Sequence, residues 1–133
     1  MTFSQRRIAK QRFAIATAPR VVVVGHCASG KTTLVESLRN AGIDAVASAQ
    51  EHSEIAELWK RSNADVLIYL DVDLDTIRQR RGSGWPEMIF LMQEERLRRA
   101  REAADLVIDT ARHRADEVFA RSRTFVAWWR HFH

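Results

Sequence analysis

Four short apolar runs punctuate the chain, and between them the apolar positions fall at helical spacing. The first run is Val21-Val22-Val23-Val24, preceded by Arg20 and closed by Gly25. An unbroken β-branched run of this kind predicts a central parallel strand buried on both faces. Leu34, Val35 and Leu38 then recur with helical periodicity, and Gly42 follows as a C-terminal stop. Ile43 to Ser48 reads as a second short strand. Ser53 is placed to cap a helix whose buried face would be Ile55, Leu58 and Trp59.

The third strand is Val66 to Asp71, nearly all apolar and ending in a carboxylate. A helix over 74–81 follows, interrupted by Gly82-Ser83-Gly84. Pro86 opens a longer helix to about Ala104, with Glu94/Arg98 and Glu95/Arg99 spaced as outward i,i+4 pairs. Leu106-Val107-Ile108, ending at Asp109, is the last strand. The closing helix, from about Asp116, would bury Val118, Phe119, Phe125, Val126 and Trp129. Strands alternating with helices predict an α/β fold: a parallel sheet of about four strands with helices on both faces, in three layers. At 133 residues, 1–133 reads as a single domain.

Up to Arg20 the chain carries five basic residues and no acid, and Ile8, Arg12 and Phe13 fit either a short amphipathic helix or a loose arm. Phe13-Ala14-Ile15-Ala16 is too short an apolar stretch for a secretory signal. No run approaches the roughly 20 apolar residues that span a bilayer. Hydrophobic residues make up 46% and charged residues 29%, a soluble globular balance. The lone Cys27 has no internal disulfide partner, which points to a reducing cytoplasm. The net charge of +4 comes from 18 arginines and only three lysines. Arginine forks suit phosphate, so nucleic acid or another polyphosphate is one partner class; arginines solvated on helix faces are the other reading. No basic run is interleaved with stacking aromatics, which favours the second. Trp128 and Phe132 are placed to pack on a neighbour or on the N-terminal arm, and oligomeric state is left open.

Gly25-His26-Cys27-Ala28-Ser29-Gly30-Lys31-Thr32 matches G-x-x-x-x-G-K-[ST] at every position. In such a loop, glycines let successive N–H groups turn inward onto phosphate oxygens, and the following helix aims its positive end at the same anion. Lys31 would reach the β- and γ-phosphates, and the Thr32 hydroxyl would ligate Mg2+. Gly25 through Thr33 are the predicted contacts of a nucleoside triphosphate. His26 and Cys27 read as loop positions that most side chains would serve.

The loop followed by Thr33-Leu34 resembles the first motif of translation GTPases, but no Asp-x-x-Gly or Asn-Lys-x-Asp is present, so ATP is expected instead of a GTP preference. LIYLDVDLDTIRQR, over 67–80, is similar to the strand–helix unit leading into the lid of shikimate, gluconate and adenylate kinase-like enzymes. ADLVIDT, over 104–110, resembles their final strand, and Ala115-Asp116-Glu117-Val118 the helix start after it. The resemblance covers most of 20–125 and implies transfer of the γ-phosphoryl of ATP to a small acceptor, with Arg80 as the lid arginine. Two departures stand out: Ala28 occupies a usual glycine position, and one strand–helix unit and the acceptor-binding insertions are missing or much shortened.

Parallel sheets bind ligands at the carboxyl ends of their strands, which directs attention to the residues just beyond each one. After the second strand comes Glu51, either orienting the acceptor or a magnesium-bound water, as the resemblance implies, or simply favouring a helix end. After the third comes Asp71, in the pattern of a second magnesium shell, with Asp73 or Asp75 as a helix cap. Arg78, Arg80 and Arg81 precede the glycine hinge, and Arg80 matches the lid position. Lys31, Glu51 and Arg80 are thus the catalytic candidates, and Thr32 and Asp71 the metal candidates. Without an acceptor, an NTPase or nucleotide-dependent switch is the alternative function.

Overall fold

The computed structural model describes residues 18–133; the arm around Ile8, Arg12 and Phe13 lies outside them. The chain order is β1 (Arg20–Gly25), α1 (Lys31–Asn40), β2 (Asp44–Ala47), two 3-10 turns (Gln50–His52 and Leu58–Ser62), β3 (Val66–Asp71), α2 (Leu74–Arg81), α3 (Glu87–Ala103), β4 (Leu106–Asp109) and α4 (Ala115–Phe132). The four strands form one parallel sheet in the order β2-β1-β3-β4.

β1 is central because its four valines have no polar face to offer solvent, and each is fully buried. Val21 and Val23 join Leu34, Val35 and Leu38 of α1 and Val118 and Val126 of α4 on one face. Val22 and Val24 join Leu67, Tyr69, Trp59, Leu97 and Ala100 on the other, under α3. Helices therefore cover both faces of the sheet. Arg20 fixes the start of β1: its N–H donates to Asp65, its Nε to Asp44 and its Nη1 to the Ser62 carbonyl. At the far end Thr110 donates to the Asp71 carbonyl through both its N–H and its hydroxyl, locking β4 to β3.

Two expectations are corrected. The helix expected from Ser53 is replaced by the two 3-10 turns. Ser53 Oγ accepts the Ile55 N–H at 3.0 Å, a local turn that competes with helix entry, and of the three expected apolar residues Trp59 alone is buried while Ile55 is exposed. One anchor does not make a buried stripe. On α3, Glu94 and Arg99 are not partners in outward pairs: Arg98 lies between Glu95 and Glu102, and Arg99 reaches Glu57. Glu94 turns inward instead, as described below. In α4, Val118 and Val126 are buried and Phe119, Phe125 and Trp129 half-buried against the same core. Trp128 and Phe132 remain exposed, each against a neighbouring aromatic of the helix.

α2 is started by Asp73, which accepts the Thr76 N–H at 2.7 Å. The hydrogen bonds from Thr76 hold the Asp73 carboxyl below the usual carboxylate range. Ile77 is the helix's buried anchor, so the arginines that follow it start from a fixed point.

Tyr69, the only tyrosine, is 1% exposed on β3. Burial, and then the negative charge of Glu94, push its phenol up to about 12. Its neutral form is thus favoured by folding, and the associated stability is present below the unfolded value of about 10 and lost as pH rises above it. A spectrophotometric titration should place its midpoint near 12 in the folded protein and near 10 in denaturant. A folded-state midpoint near 10 would contradict this burial.

Candidate functional site

The chain leaves β1 through Gly25, where the backbone of β3 passes close by. A Cβ there would lie 2.7 Å from the Leu70 carbonyl oxygen and 2.8 Å from Ser29 Oγ. The loop then turns on a hydrogen bond from the Ser29 N–H to the His26 carbonyl, at 3.1 Å. Ala28 takes a left-handed φ of 64°, the conformation that makes glycine the easier choice at this position. Gly30, with φ 97°, begins α1 without a side-chain cap, so the first-turn N–H groups of that helix face the loop uncapped. Lys31 folds back over the loop. Its Nζ donates to the carbonyls of Gly25 (2.8 Å) and His26 (3.1 Å) and lies 2.6 Å from Glu51 Oε2. The side chains of this pair are only 12% and 5% exposed.

His26 is fully buried, which corrects the reading of it as an interchangeable loop position. Its Nδ1 lies 3.2 Å from Gln93 Oε1 and its Nε2 2.6 Å from Glu94 Oε1, so each ring nitrogen faces an oxygen acceptor. Phe90 stacks on the ring at 4.6 Å. Gln93 also accepts the Cys27 N–H at 3.2 Å and donates to Cys27 Sγ at 3.3 Å. One turn and a half of α3 thus grips two consecutive loop residues. The sequence held a signal for this: Gln93 lies at i, i+4, i+7 with the buried Leu97 and Ala100, a polar residue on an apolar stripe.

A second glutamine builds the other wall. Gln50, also fully buried, donates to the carbonyls of Ile55 and Arg96 and accepts the Trp59 N–H. Arg96 Nη1 donates to the Glu51 carbonyl at 3.3 Å. Glu51 is therefore set by the turn and by α3, not by a helix end, and its carboxylate faces Lys31. Its Oε1 and the hydroxyl of Ser29 are both buried with no hydrogen-bond partner among the described residues.

Two cavities flank the loop and share Ala28, Ser29, Gly30, Thr33 and Arg81. The larger, about 430 Å³, is lined further by Leu34, Arg80, Thr110, His113 and Val118. The smaller, about 320 Å³, brings together Lys31, Thr32, Glu51, Cys27 and His52. Arg80 belongs to the larger one. Its Nη1 donates to the Ala28 carbonyl at 2.6 Å and its Nη2 to the Thr110 carbonyl at 2.8 Å, so it ties the loop to the end of β4. Arg81 is the arginine that lines both cavities. Asp71 is apart from Thr32, in a separate recess of about 300 Å³ with Asp73, Glu94 and Asp109. Its Oδ1 lies 2.8 Å from Arg101 Nη1, and the Arg101 pKa is raised chiefly by that bond. No protein-family model matches this chain, and no curated protein matches it.

The close approach at Gly25 has a direct consequence. Gly25→Ala forces a Cβ against backbone that cannot retreat, and the protein should lose about 1–3 kcal/mol of unfolding free energy. Denaturant melts of the two proteins check this; superimposable transitions would mean that the loop does not pass β3 as described.

Proposed function

We propose that the Gly25–Thr32 loop is a phosphate-binding loop and that the protein binds ATP with magnesium, transferring its γ-phosphoryl to a small acceptor. The observation that carries this reading is Lys31. A near-buried ammonium folds over the loop from the first position of a helix, at the carboxyl edge of a parallel sheet, within a complete G-x-x-x-x-G-K-T sequence. In this reading the larger cavity takes the nucleoside, between Leu34 and Val118 on its apolar side and Thr110 and His113 on its polar side. The smaller takes the terminal phosphates.

The donors present fit magnesium. Thr32 offers a hydroxyl in the smaller cavity, and Glu51 there has a buried oxygen without a hydrogen-bond partner among the described residues. Asp71, in its separate recess and paired with Arg101, is not a magnesium ligand in this reading. Bound magnesium neutralises charge on the phosphates. Lys31 exchanges its loop carbonyls for phosphate oxygens, and the uncapped N–H groups of α1 face the same charge. Glu51 orients the acceptor hydroxyl and takes its proton as the new P–O bond forms and the bond to the β-phosphate oxygen breaks. Arg80 holds the loop backbone in place, and Arg81 is the better placed to meet phosphate charge.

One observation favours a second reading, hydrolysis without an acceptor: only two 3-10 turns lie between β2 and β3, where the kinases that the sequence resembles carry a further strand–helix unit and acceptor-binding insertions. Arg20, Arg96, Arg98, Arg99, Arg101, Arg112 and Arg114, seven of the 18 arginines, stand in ion pairs, which favours structural surface charges over a separate polyphosphate function for these residues.

Lys31→Ala should weaken binding of magnesium–ATP by at least about tenfold, or 1.4 kcal/mol, in calorimetry. Equal affinities would end the proposal. Glu51→Gln should keep ATP binding but lower turnover by about a hundredfold or more. The assay is ATP consumption over a panel of small hydroxylated acceptors with water as the blank. Consumption raised by one acceptor supports the kinase reading, consumption raised by none supports hydrolysis, and unchanged turnover in Glu51→Gln removes Glu51 from the chemistry.

A further inference from the structure

Beside the Glu51 carboxylate, the smaller cavity holds two donors that phosphate binding does not use, Cys27 and His52. Cys27 Sγ lies 3.5 Å from His52 Nε2, and His52 Nε2 lies 3.6 Å from Glu51 Oε2. The sulfur, the imidazole nitrogen and a carboxylate oxygen all fall within 4.8 Å of one another. With Zn–S near 2.3 Å and Zn–N and Zn–O near 2.0–2.2 Å, the edge of a tetrahedral zinc site is about 3.4–3.6 Å long. The two shorter separations already match that edge without rearrangement.

We propose that Cys27, Glu51 and His52 form a three-ligand site for a borderline divalent transition-metal ion of the zinc type, open at its fourth position toward the loop. Two observations beyond proximity support it. The Glu51 oxygen nearest His52 is Oε2, which Lys31 also contacts, while Oε1 is buried with no hydrogen-bond partner among the described residues, so the carboxylate has acceptor capacity left for a cation. The sulfur already accepts a hydrogen bond from the buried Gln93 amide, an outer contact of the kind that orients a metal ligand. Thiolate plus imidazole selects against magnesium and calcium, which prefer oxygen donors throughout. Metal entry displaces the thiol proton to solvent, and the fourth position is left for water or an incoming anion. Thiolate and carboxylate balance the two charges of the metal, so Lys31 and Arg81, which line the same cavity, leave it net positive and suited to an anion at the fourth position. This site does not depend on nucleotide binding.

Cobalt(II) is the probe, titrated into the full chain after chelator treatment and without nucleotide. Because the chain has a single cysteine, any thiolate-to-cobalt absorption reports Cys27. We expect that band together with the strong visible bands of four-coordinate cobalt, at one ion per chain, and their loss when zinc is added. His52→Ala, at an exposed side chain, should weaken binding more than about a hundredfold, beyond the loss typical of outer-shell changes, and Cys27→Ser should abolish the thiolate band. A six-coordinate cobalt spectrum without a thiolate band overturns the site, as does unchanged affinity in His52→Ala when its circular dichroism matches wild type. Failure of magnesium–ATP binding would leave this result untouched, and the reverse holds as well.

Discussion

The Lys31–Glu51 contact is the interaction on which the rest of the site is hung. Between the last ladder bond of β1 and the first turn of α1, the chain runs through a segment with little backbone pairing of its own. Side chains hold it: Lys31 from within, Gln93 and Glu94 from α3, and Arg80 from the end of α2. Of these, only Lys31 also reaches across to the wall formed after β2. Removing two charges from water is costly, and a nearly buried ion pair is weak support for stability. Here the carboxylate even keeps one oxygen without a partner among the described residues. What the pair visibly does is positional: it ties the loop to the wall formed after β2.

Much of the architecture was legible in the residues. Val21–Val24 and Val66–Leu70 are apolar on consecutive positions, and only a strand covered on both faces suits that pattern. Asp73 was one of two cap candidates, and the backbone selected it. The stretch from Gln50 to Ser62 was not legible in the same way. Its shape is set by one buried glutamine bonding to residues five, nine and 46 positions away, and no local periodicity encodes such bonds. His26 was misread for a related reason: its burial depends on Phe90, Gln93 and Glu94, which are distant in sequence and meet it only once α3 lies across the sheet. The motif located the loop, and tertiary contacts decided the role of each side chain around it.

Arg80 and Arg81 show how one helical step divides labour. Adjacent residues on a helix point about 100° apart, so Arg80 can spend its guanidinium on the Ala28 and Thr110 carbonyls while Arg81 lines the two cavities. A positive group fixed to backbone oxygens does a different job from one left facing a recess, even one residue away.

Among the described residues, the order β2-β1-β3-β4 leaves the two shortest strands outermost, each only four residues long. An exposed strand edge is a template on which other chains can pair and aggregate, and short edges are the simplest protection against it. On β2 a charged residue, Asp44, stands at the start of the strand, paired with Arg20 of β1. β4 is less protected: Val107 is exposed, and the aromatic side chains of α4 lie beside the neighbouring groove. If this protein self-associates on partial unfolding, the β4 edge is where the first wrong strand would add.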